Sequence, residues 1–117
     1  ERMTDDELGE LRNTYELMEF YTSRGNIDKV AELNTYFHEV IFKGAKSKFL
    51  KRTLMNFQVY IRWARNASIK MEGRAEEALK EHKAIVEAFE KRDVHLAEQS
   101  VMGHVGNSIK NLRYIKR

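Results

Sequence analysis

The chain contains no cysteine and no proline. Without cysteine there are no disulfides and no thiolate metal sites, so a transition metal would have to be held by histidine, carboxylate or amide oxygen. Without proline, and with β-branched residues scattered rather than gathered into alternating runs, nothing opposes helix over most of the length. No apolar run reaches membrane-spanning length and the acidic first residues lack the pattern of a secretory signal, so a cytoplasmic location with no membrane contact is expected. An excess of one charge is also missing. The 21 basic and 18 acidic residues are interleaved, and the resulting net charge of +3 is weak evidence about nucleic acid.

What is present is a chain of 117 residues, 42% apolar, enough for one compact core and too short for two. Residues 1–117 are therefore read as a single all-α domain. Thr-Asp-Asp-Glu at 4–7 has the form of a capping box that starts a helix carrying Leu8, Leu11, Tyr15 and Met18, with Gly25 as its stop. A second helix is expected from about Ile27 to Lys43, with Val30, Leu33, Phe37, Val40 and Ile41 on one face and Gly44 as its stop. Ser47 caps a long third helix through Leu50, Leu54, Phe57, Ile61 and Ala64, ending between Asn66 and Gly73. A fourth spans roughly Arg74 to Glu90 with Leu79, Val86 and Phe89 in register, and Asp93 caps a fifth whose stripe is Ala97, Val101, Val105, Ile109 and Leu112. About five helices joined by short connections make an antiparallel bundle.

Three of the four histidines lie on or beside these apolar stripes. Asn34 and His38 are four apart on one helix, so both point the same way over adjacent turns. His82 and His104 come from the two following helices, and packing could bring both imidazoles to the core. A single histidine on an apolar face is usually a core residue whose ring nitrogens are satisfied by carbonyls or water. Three such histidines beside an amide oxygen leave a metal site as the competing reading. His95, in the first turn of its helix, reads as solvent-facing.

The segment Leu33-Asn34-Thr35-Tyr36-Phe37-His38 resembles the Asp-x-x-Phe-His motif of the FCD domain, the C-terminal sensor domain of FadR-type transcription regulators in the GntR family. Glu81-His82-Lys83-Ala84-Ile85-Val86-Glu87-Ala88-Phe89 is similar to that family's Glu-His-x-x-Ile-x-x-Ala segment, followed by Arg92-Asp93, Ala97-Glu98 and His104-Val105 at the family's distance. The resemblance runs from Thr4 to Leu112. It implies a divalent transition metal held by Asn34, His38, His82 and His104, with zinc or nickel preferred, and a small organic acid as effector. Asn34 stands where Asp is commoner, and a neutral amide oxygen is the weaker ligand. Arg62 and Arg65 on the third helix stand near positions where the family uses arginine against the effector, and a guanidinium there could clamp a carboxylate. Trp63 and Tyr60 beside them read as packing residues.

The family's winged helix-turn-helix and the sensor domain's first helix are not in the chain. DNA binding is thus expected only through the missing N-terminal domain, and a homodimer is expected to cover the apolar surface left by the missing helix. Two other functions compete with the sensor. One is a mononuclear metal-dependent hydrolase, for which Glu39 and Glu81 adjoin two of the histidines. The other is a ligand-free helical interaction module, which accounts for the amphipathic helices and leaves the ordered histidines as coincidence.

Overall fold

Thr4 accepts a hydrogen bond from the Glu7 amide while the Glu7 carboxylate accepts from the Thr4 amide, and this reciprocal cap starts the first helix. In the computed structural model the helices are α1 (Asp5–Ser23), α2 (Ile27–Gly44), α3 (Lys48–Ile69), α4 (Arg74–Glu90) and α5 (Val94–Ile115). The structure describes residues 3–44, 47–71 and 73–115, and within them not the side chains at 54, 56–62, 65, 66 and 111–115. Leu54, Phe57, Ile61 and Leu112, expected on the stripes, fall among those side chains, as do Tyr60, Arg62 and Arg65. Among the described residues no strand occurs, and no helix is long and apolar enough to cross a membrane.

Several boundaries have a local cause. Gly25 takes a left-handed φ of 71° and closes α1. Ser47 accepts from the Leu50 amide at the start of α3, and Asp93 accepts from the Leu96 amide at the start of α5. Gly44 is the last residue of α2 rather than a stop beyond it, and it is buried where Met3 and Glu7 cross: a Cβ there would lie 3.2 Å from both side chains.

The helices close into a ring in the order α1, α2, α3, α5, α4 and back to α1. Successive helices run antiparallel. Five is an odd number, so a closed ring of alternating helices must leave one neighbouring pair parallel, and that pair is α3 and α5. Ser47 at the start of α3 bonds to Glu98 near the start of α5, which fixes that pairing. On the opposite side, Arg12 of α1 makes a two-pronged bond to Glu90 at the end of α4.

The interior is filled by Leu11, Met18, Phe37, Ile41, Leu50, Ile85, Val86 and Val101, each at most 2% exposed. A second apolar cluster of Val30, Ile69, Ala75 and Ala78 closes one end of the bundle. Trp63, expected as a packing residue, is 52% exposed and lies outside the core.

Candidate metal centre

Because α2, α4 and α5 occupy different places in the ring, a residue on the inner face of each meets the others across the core. His38, His82 and His104 do this, and all three are buried. One ring nitrogen from each lies within 4.8 Å of the other two. The His38 and His104 rings stack with centroids 4.9 Å apart and planes 8° apart, and their Nε2 atoms are 3.0 Å from each other. His82 stands edge-on to His104 at 4.4 Å between centroids, backed by Phe37 at 4.6 Å.

The tautomer of His104 follows from its other neighbour. Its Nδ1 lies 2.6 Å from Glu81 Oε1. An ionised carboxylate only accepts, so Nδ1 carries the proton, and in the neutral ring Nε2 presents a lone pair towards His38. Glu81 is strongly held as an anion. Burial alone would push its carboxyl up, but hydrogen bonds from His104, Arg74 and Asn107 outweigh that and bring it down to about 2. Arg74 itself is buried, and grips both Glu81 oxygens at 3.0 and 2.8 Å.

These residues fit a divalent transition metal on two observations. An ion about 2.0–2.1 Å from each imidazole nitrogen in a tetrahedral site sets two such nitrogens about 3.3–3.4 Å apart, a few tenths of an ångström more than the His38–His104 separation of 3.0 Å. Asn34, one turn before His38 on α2, is 1% exposed and its Oδ1 has no hydrogen-bond partner. A buried amide oxygen left unsatisfied costs about 1–3 kcal/mol, which an ion would offset. The donor set of imidazole nitrogens and an amide oxygen suits zinc, nickel, copper or iron.

The three sequence-predicted histidines are thus brought together, and Asn34 is buried one turn away on the same helix. His95 is exposed on the first turn of α5, as expected. Arg62 and Arg65, the expected effector contacts, lie outside the described side chains. Of the two carboxylates adjoining the histidines, Glu39 is exposed and Glu81 is committed to Arg74 and His104. Sequence reasoning did not find Arg74. The available signal was its spacing of seven from Glu81, two turns along one helix face.

Known proteins give an independent comparison. The chain is 28% identical over 112 residues to the uncharacterized HTH-type transcriptional regulator YdhC of Bacillus subtilis (strain 168), a match that takes in 95% of this chain and spans half the length of that relative. The model of the FCD domain family matches residues 1–107, a stretch that includes Asn34 and all three buried histidines. With the helical fold and that match in agreement, the chain belongs to the FCD domain family.

Proposed function

We propose that this chain is the effector-sensing domain of a transcription regulator, in which His38, His82 and His104, with Asn34 as a weaker fourth ligand, hold one divalent transition metal. The observation that carries the reading is the convergence of three buried imidazoles from three different helices within 4.8 Å. Zinc or nickel is preferred. The ion, when bound, supplies a buried positive charge with a coordination position open to the carboxylate of a small organic acid.

The chain's own residues do the rest of the work. The four donors are neutral, so they leave the charge of the ion uncancelled and favour an anionic effector. Arg62 and Arg65 on α3 are proposed to bind a further carboxylate of that effector by paired hydrogen bonds. In the whole regulator, of which the chain corresponds to about half by comparison with its relative, the effector modulates DNA binding by a helix-turn-helix part outside this chain. A homodimer and a cytoplasmic location go with that reading. Hydrolysis is disfavoured because a general base needs a free lone pair and a proton affinity near the working pH. Glu81 has neither, since Arg74, His104 and Asn107 occupy its oxygens and hold its carboxyl at about 2.

The test uses protein purified without an affinity tag. Elemental analysis is expected to find close to one zinc or nickel per chain, or stoichiometric uptake on titration, and a chelator is expected to lower the melting temperature. Small carboxylates that chelate metal only weakly, such as acetate, are then expected to raise the melting temperature of the metal-loaded protein and not that of the stripped protein. Protein that contains no metal and takes up none overturns the reading.

A further inference from the structure

His104 is held from two sides by one buried arginine. Arg74 Nη2 donates to the Ser108 hydroxyl at 3.0 Å, and that hydroxyl donates to the His104 carbonyl at 3.1 Å, fixing the backbone. The same Nη2 donates to Glu81 Oε1 at 2.8 Å, and Oε1 accepts from the His104 ring at 2.6 Å, fixing the side chain. Asn107 Nδ2 donates to the other oxygen, Glu81 Oε2, at 2.8 Å.

This arrangement is unfavourable for α4 taken alone. A positive charge in the first helical turn opposes the helix dipole, and a guanidinium 3% exposed is costly unless paired. Glu77 and Glu81 supply the pairing, with Glu81 at 19% side-chain exposure closing the inner side. A structural ion pair would need only Arg74 and Glu81. Here the carboxylate also reaches across to α5 and takes the ring proton of a histidine whose other nitrogen faces His38.

We propose that Glu81, clamped by Arg74 and Asn107, is a positioning residue that keeps the His104 proton on Nδ1 and aims the Nε2 lone pair at the metal position shared with His38 and His82. The inference rests on the metal reading above and adds the group that sets affinity there. A ligating histidine whose second nitrogen donates to a carboxylate is fixed in orientation and made more basic. Without Glu81 the ring samples both tautomers, and the one protonated on Nε2 cannot ligate.

The experiment measures zinc affinity by competition with a chromophoric chelator, for the parent, for Glu81→Gln and for the double variant Arg74→Met/Glu81→Gln. The double variant removes both charges together, so no buried guanidinium is orphaned even if Glu81→Gln alone fails to fold. Each variant is assayed below its own melting temperature, which separates affinity from stability. Zinc binding 10–100-fold weaker than the parent's in a folded variant is the expected result. Long-range ¹⁵N–¹H correlation on the metal-free proteins is expected to find the His104 proton on Nδ1 in the parent and mixed tautomers in the double variant. Affinities within twofold of the parent, or a parent ring protonated on Nε2, overturn this inference alone. A parent that binds no zinc overturns the metal reading, and this inference with it.

Discussion

Replacing Asn34 by aspartate exchanges one heavy atom of the side chain and adds a negative charge to a site whose donors are otherwise neutral. At 1% exposure, with Oδ1 lacking a hydrogen-bond partner, the position offers a carboxylate no solvation in the metal-free protein. Burying such a charge costs several kcal/mol before relaxation, and protonation caps the penalty, so about 2–4 kcal/mol of destabilisation is expected. With roughly 2.1 cal/mol/K per residue of unfolding entropy, a chain of 117 residues loses about 4 °C of melting temperature per kcal/mol. Metal-free Asn34→Asp should therefore melt about 8–16 °C below the parent. Metal acts in the opposite direction and recovers part of that loss, because a carboxylate is a stronger ligand than an amide oxygen. A tenfold gain in affinity adds about 1.4 kcal/mol, or about 6 °C, to the stabilisation by a fixed excess of zinc. The assay is differential scanning fluorimetry of parent and variant, each with chelator and with zinc. Equal shifts of parent and variant on adding zinc would refute the reasoning, because Asn34 would then not face the ion.

The remaining expectations concern stability. Glu81 has its folded pKa lowered, so its contribution is complete above the ordinary carboxyl value of 4.5 and is lost as pH falls towards about 2. The shift corresponds to at most roughly 3 kcal/mol, so the melting temperature of the parent should fall more steeply than that of Glu81→Gln between those limits; superimposable acid limbs contradict this. Thr4→Ala removes the side-chain half of the capping box and should cost about 1 kcal/mol, or about 4 °C; no change in melting temperature would mean that α1 starts elsewhere. Arg12→Ala breaks a surface pair whose side chains are 32% and 36% exposed, and chemical denaturation should register about 1 kcal/mol or less, with a loss above 2 contradicting the assignment.

Three helix starts, those of α1, α3 and α5, were legible in the sequence because each is written in one or two residues, whereas α4 starts after Gly73 with no side-chain cap. Thr4 with Glu7, Ser47 and Asp93 all cap where their side-chain chemistry places them. The histidines were legible for a related reason: Asn34 and His38 share a helix face, and His82 and His104 sit in register with apolar stripes, so forming the core brings them inward. Ring closure was less accessible, since the parallel pairing of α3 with α5 depends on how five helices meet and not on either helix alone. Arg74 was hidden for a different cause. A charged residue in a first helical turn reads as solvated, and only the approach of Ser108 and Glu81 from α5 and the next turns of α4 makes it a buried clamp. Trp63 is out of register with the stripe of Leu50 and Ala64, and its exposure follows that periodicity rather than its size.

The central claim is that three histidines from α2, α4 and α5 bind one ion inside the bundle. Crystals of the tag-free protein grown with zinc or nickel, with data collected on both sides of the metal absorption edge, test it most directly. One anomalous peak per chain is expected within bonding distance of His38 Nε2, His104 Nε2 and a ring nitrogen of His82, with Asn34 Oδ1 turned towards it. Anomalous density only at surface groups such as His95, with an intact His38–His104 contact and no peak in the core, would contradict it.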